Sequence, residues 1–218
     1  MIIAIDGPSG AGKGTLARAL AEALQYRHVD TGAMYRAVAW KAQHDGLPLD
    51  DEAKVAALAA RAAIEQQGGA IRIDGQDVTA AIRTPEIDKA AATVARLPAV
   101  RSILVARQRA LGADRRVVME GRDIGTVVFP DADLKFYIDA SPEERARRRA
   151  ADPAHTGGQG SLELVQSDIQ ARDKSDSTRP VAPLTLADDA IYIDTTGVPI
   201  HDVVDRVMKI LDQKRRSP

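Results

Sequence analysis

A chain of 218 residues with a formal net charge of -1 has room for one sizeable core, with space for a small inserted part, and shows no general attraction to nucleic acid or acidic membrane surfaces. The absence of cysteine excludes disulfides, thiolate metal sites and a catalytic thiol, and an aromatic content of 3% speaks against a base-stacking platform. No apolar run reaches the roughly 20 residues a bilayer span requires, and Met1 to Ile5 is too short and too uncharged for a signal peptide, so a soluble, cytoplasmic protein is the expectation; the oligomeric state is not given by the sequence, and a monomer is the default.

Ile2, Ile3, Ala4 and Ile5 form a short apolar run that ends in Gly7-Pro8-Ser9-Gly10-Ala11-Gly12-Lys13-Gly14-Thr15. Leu16, Ala17, Leu20, Ala21 and Leu24 then recur at helical spacing. This is a buried strand, a Gly-rich loop and a helix. Glycines let successive backbone N–H groups curl inward, and the helix N-terminus adds its positive end, so the loop is a cradle for nucleotide phosphates that Lys13 completes. Gly14 occupies the slot that usually carries a hydroxyl, which moves to Thr15; whether Thr15 meets Mg²⁺ directly or through water stays open.

His28 and Val29 suit a second strand, and Thr31 is placed to cap a helix from about Gly32 that carries Arg36 near its start. Arg36 is by spacing alone as well explained by a solvated surface as by a ligand. Asp51 to Gln66 reads as an amphipathic helix, and Ala70 to Val78 as a hairpin around Asp74-Gly75. About Leu47 to Thr84 is therefore read as an insertion in an α/β rhythm. Ile87–Ala95 and Ala99–Leu111 are expected helices, the second bearing Arg101, Arg107 and Arg109.

Val117 to Met119 reads as a buried strand with Glu120-Gly121-Arg122-Asp123 at its carboxyl end, where open α/β sheets keep their ligands. Leu134 to Ile138 is a further strand, and Ser141-Pro142 opens a helix on which Arg145, Arg148 and Arg149 share one face. Asp152 to Gly160 reads as a mobile lid tip. A helix from Leu162 to about Ser177 carries Arg172 and Asp176, with Arg179 beyond it. Ala190–Ile193 is the last expected strand, Ile200–Leu211 a closing helix, and Lys214 to Pro218 a frayed tail.

In their order, Gly7 to Thr15, Asp30-Thr-Gly-Ala-Met-Tyr-Arg36, Asp74-Gly-Gln-Asp-Val78 with Ile82-Arg-Thr84, Gly121-Arg-Asp-Ile-Gly-Thr-Val-Val-Phe-Pro130 and Arg179-Pro-Val-Ala-Pro183 resemble the bacterial cytidylate kinases, a branch of the nucleoside monophosphate kinase family. The resemblance covers essentially the whole chain. It implies a P-loop parallel sheet flanked by helices, with core residues 1–46, 85–140 and 180–218, an insertion at about 47–84 and a helical lid at about 145–178. The implied reaction moves the γ-phosphoryl group of ATP, with Mg²⁺, to CMP or dCMP.

By that likeness Arg36 and Arg122 hold the CMP phosphate, Arg101 and Asp123 the cytosine with Thr31 beside it, Asp176 the ribose, and Arg172 and Arg179 the phosphates near transfer. Arg145, Arg148 and Arg149 are the lid candidates. Ala92 stands where a base-contacting serine is expected, next to Thr93. The chemistry agrees: phosphoryl transfer asks the protein to align two anions and neutralise charge, work suited to Lys, Arg and Mg²⁺. Two rivals are a P-loop kinase for another small acceptor and a nucleotide-dependent switch with slow hydrolysis.

Overall fold

A computed structural model describes residues 1–152 and 161–216, with the side chain of Arg216 excepted. The expected lid tip falls largely at 153–160, outside the described residues.

Strand β1 (Ile2–Asp6) is buried along its whole length, and its alternation divides the molecule. Ile2 and Ala4 face one apolar cluster, Ile3 and Ile5 the other, as the period-2 geometry of a strand dictates. Each large aliphatic side chain removed from water contributes roughly 1.5–3 kcal/mol. Helices α1 (Lys13–Leu24) and α8 (Ile200–Arg216) cover the Ile3 side. Helices α2 (Thr31–His44), α3 (Glu52–Arg61), α4 (Pro85–Val94) and α5 (Pro98–Leu111) build the Ile2 side.

With β2 (Arg27–Asp30), β6 (Val117–Gly121), β7 (Leu134–Asp139) and β8 (Ile191–Asp194), strand β1 makes a five-stranded sheet in the order β2-β6-β1-β7-β8. All its pairings are parallel. The chain leaves β1 toward β2 and leaves β6 toward β7, in opposite directions, so a crevice opens beyond their carboxyl ends, where Asp6 pairs with Gly121. Helices α6 (Pro142–Ala150) and α7 (Leu162–Thr178) lie over that end.

A second, antiparallel sheet is built from β3 (Ile64–Gln67), β4 (Ala70–Ile73) and β5 (Gln76–Asp77). The Asp74-Gly75 hairpin turn forms with both residues at positive φ, the geometry of a type I′ turn. The expected helix over Asp51 to Gln66 ends instead at Arg61. Ala62 turns extended, and Ile64 pairs with Ile73 across the sheet, so cross-strand packing of β-branched residues overrides the alanine-rich pattern before it.

Two further expectations are corrected. The cap of α2 is Asp30, whose Oδ1 accepts from Ala33 N at 2.8 Å; Thr31 is the first helical residue, and its hydroxyl donates to Glu120 O at 2.7 Å. The closing helix does not stop at Leu211 but runs to Arg216. Between β6 and β7, Ile124–Val128 forms a π-helical turn that periodicity did not announce. Among the described residues no helix is long and apolar enough to cross a membrane.

Candidate functional site

The crevice is a cleft of about 430 Å³ at the carboxyl ends of β1 and β6. Its floor is the loop before α1. Gly7, at φ +145°, leaves no room for a side chain, since a Cβ there would meet Ile138 O at 2.0 Å. Gly12 precedes α1 without any side-chain cap, so the first N–H groups of the helix stay available to an anion. Lys13 is buried and donates from Nζ to Pro8 O at 2.6 Å. Burial, reinforced by the nearby Arg122 charge, pulls its pKa down to about 7.

Gly14 and Thr15 both line the cleft. A Cβ at Gly14 would lie 3.0 Å from Glu120 Oε1, so the missing side chain makes room for a carboxylate at the mouth of the loop. Glu120 is itself steadied by His28, whose Nε2 lies 3.0 Å from Oε1. The Thr15 hydroxyl and this carboxylate are hard oxygen donors of the kind Mg²⁺ takes. Among the described residues no cluster of three or more His, Asp or Glu side chains offers a cation a ready-made cage.

The opposite wall is built from arginines and their carboxylates. Asp30 Oδ2 accepts from Arg36 Nη2 at 3.0 Å and from Arg83 Nη2 at 3.4 Å. Burial works against the ionised carboxyl, but the two guanidinium groups outweigh it and hold Asp30 at about 2. Arg122 donates from Nε to Asp176 Oδ2 at 2.8 Å, and burial of Asp176 is likewise overcome by Arg122 and Arg172, which lower its pKa.

Asp123 is clasped by Arg101 from behind, and Arg179 Nη2 stands 3.4 Å from its other oxygen. The Arg101 guanidinium lies 5.5 Å over the Tyr35 ring. Asp123 is aimed by the π-helical turn, which the Asp6 carboxylate pins through Ile124 N and Gly125 N, both at 2.8 Å. Burial raises Asp6 to about 6 against the pull of these two N–H groups.

Helices α6 and α7 come down on the loop. Arg145 Nη1 donates to Ser9 O at 3.0 Å and pairs with Asp173, whose Oδ1 accepts from Ser9 N at 3.2 Å. Arg149 Nη2 donates to Ser9 Oγ at 2.7 Å, while Arg148 reaches Ala11 O and Thr195.

Of the residues singled out in the sequence, Ser9, Gly10, Gly12 to Thr15, Thr31, Arg36, Arg122, Asp123, Arg148, Arg149, Arg172, Asp176 and Arg179 line this one cleft. Gly7, Pro8, Ala11, Arg101 and Arg145 do not; they stand behind its surface. Ala92 lines it, but Thr93 is exposed and donates its hydroxyl to Lys89 O at 3.3 Å. Asp88 and Asp173 escaped sequence reading because each is one charged residue on a segment with no motif of its own, and Arg83, though inside Ile82-Arg83-Thr84, was given no role. Glu120 was read only as a strand end, and the pairing of its carboxylate with the bare Gly14 exists only in the folded chain.

Several buried polar atoms on the cleft wall lack a hydrogen-bond partner: Tyr35 Oη, Arg36 Nε, Arg172 Nε and Arg179 Nη2. An orphaned buried donor costs about 1–3 kcal/mol, more when charged. A second cavity, of about 460 Å³, opens on the other side of the loop between Gly12, Thr15, Arg148, Val198 and Pro199.

Comparisons with known proteins bear on the fold and the family. A gluconokinase from Sinorhizobium meliloti 1021 shares the fold at a TM-score of 0.52 and 15% identity, over 97% of this chain and 91% of that one. A cytidylate kinase from Geobacillus sp. (strain WCH70) is 47% identical over 97% of this chain and 96% of its own length. One from Desulfitobacterium hafniense (strain Y51) is 48% identical over 97% and 93%. The family model described as cytidylate kinase matches residues 3–213, and the chain belongs to the cytidylate kinase family.

Proposed function

We propose that this chain transfers the γ-phosphoryl group of ATP to CMP or dCMP, giving ADP and CDP or dCDP. The observation that carries the reading is the set of buried guanidinium donors of Arg36, Arg172 and Arg179 that are left without a hydrogen bond and face the phosphate loop across one cleft. They call for a second anion opposite the first, which hydrolysis does not need.

In this reading the ATP phosphates sit on the N–H groups of residues 7–15 with Lys13, and the adenosine lies in the 460 Å³ cavity beside Val198 and Pro199. CMP occupies the 430 Å³ cleft, its phosphate held by Arg36 and Arg122 and its ribose by Asp176. Asp123 accepts from the cytosine N4 amino group while Arg101 fixes the carboxylate; uracil would set an O4 acceptor against that same carboxylate. A CMP phosphate oxygen attacks the γ-phosphorus, and the bond to the ADP oxygen breaks. Lys13, Arg172 and Arg179 balance charge on the transferring group, and Arg145, Arg148 and Arg149 hold α6 and α7 over it, excluding water. No acid or base residue is required, since the phosphate is already an adequate nucleophile. Thr15 and Glu120 would hold Mg²⁺, which would supply further neutralisation of phosphate charge when bound.

We assign residues of about 47–84 to the acceptor side. Gln66 exchanges hydrogen bonds with the Asp30 backbone at 3.0 and 2.8 Å, which braces the carboxylate that orients Arg36. About 145–178 then serves as the lid, and one chain supplies both cavities, as a monomeric enzyme requires. A coupled ADP-release assay with MgATP and each of CMP, dCMP, UMP, AMP and GMP tests the proposal. Release that depends on CMP and dCMP is expected; equal, slow release with and without acceptor would overturn it in favour of hydrolysis.

A further inference from the structure

Asp88, on α4, does not line the 430 Å³ cleft. It stands behind the wall, yet its carboxylate meets guanidinium groups from three other helices. Arg172 Nη1 of α7 lies 2.7 Å from Oδ1, Arg149 Nη1 of α6 lies 3.5 Å from Oδ2, and Arg36 Nη1 of α2 lies 3.9 Å from Oδ1. Each of these side chains is mostly buried, so solvent screens their mutual repulsion poorly. Arg36 is also held by Asp30 at 3.0 Å, but the carboxylate that Arg149 and Arg172 share among the described residues is Asp88.

The packing around Asp88 gives that anion a mechanical task. The seam between α4 and α7 is not filled by apolar side chains; it holds a cavity of about 220 Å³ lined by Ala92, Val165 and Ile169 among others. The neighbouring ion pair across the seam, Lys89 with Asp168 at 3.4 Å, is exposed at both ends and so contributes little. The far end of α7 is anchored elsewhere, through Asp176 to Arg122. Among the described residues, Asp88 is a buried link from α4 to the middle of α7 and the end of α6.

We propose that Asp88 is a positioning residue: it gathers Arg36, Arg149 and Arg172 into one cluster facing the acceptor phosphate and holds α6 and α7 against α4. The inference rests on the kinase reading for the identity of the phosphate, but not for the clasp itself. Asp88 touches no reacting atom. Its charge is smaller than that of a phosphate, so the cluster stays cationic and receptive after Asp88 has assembled it.

Because the chain has no cysteine, two introduced thiols report on the clasp without interference. Thr93→Cys on α4 and Gln170→Cys on α7, both exposed positions, take spin labels, and pulsed EPR on the nucleotide-free full-length protein gives the distance between them. Asp88→Asn should broaden that distribution toward longer distances, and Asp88→Glu should restore most of the narrow population. In the unlabelled chain, Asp88→Asn should lower kcat at saturating CMP and ATP by roughly tenfold or more, with a smaller change in KM for ATP and a melting temperature close to the parent's. A distance distribution unmoved by Asp88→Asn overturns the proposal, as does a kcat within twofold of an active parent. If the parent shows no CMP-dependent ADP release, the kinase reading fails, while the distances still decide whether Asp88 is the clasp.

Discussion

The arginines of α5 and those of the cleft wall are the same side chain in two different states. On α5, each guanidinium donates to carbonyls at the finish of another element, Arg101 alongside its pairing with Asp123. Arg101 donates to Ala95 O beyond α4, Arg107 to Ala60 O and Ala62 O at the end of α3, and Arg109 to Val127 O and Val128 O at the end of the π-helical turn. Helix ends leave such carbonyls unpaired and negatively polarised, so a cation there holds the fold together. On the cleft wall, Arg36 and Arg179 lie deeper than Arg107 and Arg109, and Arg172 deeper than Arg109, yet each of the three keeps a buried N–H group without a hydrogen bond. A satisfied arginine maintains shape; an unsatisfied one is kept at a cost in stability for an anion that arrives later.

The largest effect that can break this contrast belongs to the wall. Arg172→Met should lower kcat with CMP and MgATP by about 10³-fold, the scale of losing an arginine at a transferring phosphoryl group, while a thermal melt stays within a few degrees of the parent. A kcat within tenfold combined with a collapsed melt would place Arg172 with the structural set. Asp123→Asn comes next. Its carboxylate is paired with Arg101 and Arg179, so the variant weakens the fold and lowers activity on every substrate. The ratio of kcat/KM for CMP to that for UMP cancels the shared loss. That ratio should fall about tenfold or more, as one well-placed base contact is worth about 1–3 kcal/mol; an unchanged ratio would remove Asp123 from base recognition.

This contrast also marks how far the residues alone could be read. Strand, loop and helix over residues 2–24 were legible because the apolar period, the glycines and Lys13 agree locally. The strand end carrying Arg122 and Asp123 was legible for the same reason. What could not be read was pairing at a distance. Arg107 and Arg172 look alike as helical arginines, and only the fold sends one to Ala62 O and the other to Asp88. The helix-to-strand change after Arg61 was lost because Ile64 is decided by Ile73, nine positions on. The π-helical turn was hidden because its clamp, Asp6, lies in another motif.

A smaller effect tests the structural half. Arg107→Ala removes two donors from the end of α3, with distances of 2.6 and 2.7 Å, and part of the group is solvent-accessible. A loss of about 2 kcal/mol is expected, seen as a melting temperature lower by roughly 4–8 °C for a chain of this size. KM for CMP and kcat should remain within twofold of the parent. A tenfold kinetic defect would mean that the α3 end and the small sheet behind it govern the cleft directly, and the two classes of arginine would merge.

The smallest effect concerns the cation that belongs to neither class. Lys13 is buried, donates only to a backbone carbonyl of its own loop, and lies beside Arg122, so its pKa falls to about 7 in the nucleotide-free chain. Below that pH the amine is charged before ATP arrives; above it the amine is largely neutral. The polyphosphate restores the preference for the charged form, so the bound pKa rises and ATP binding takes up a proton when measured above pH 7. At pH 7.5, calorimetric binding enthalpies in buffers of different ionisation enthalpy should therefore report more than half a proton taken up, relative to Lys13→Arg, whose guanidinium stays charged throughout. The difference should shrink toward zero at pH 6, where Lys13 is already protonated. No difference at pH 7.5 would mean that the empty loop holds a charged lysine, and that its carbonyls screen a buried cation as well as those that hold Arg107.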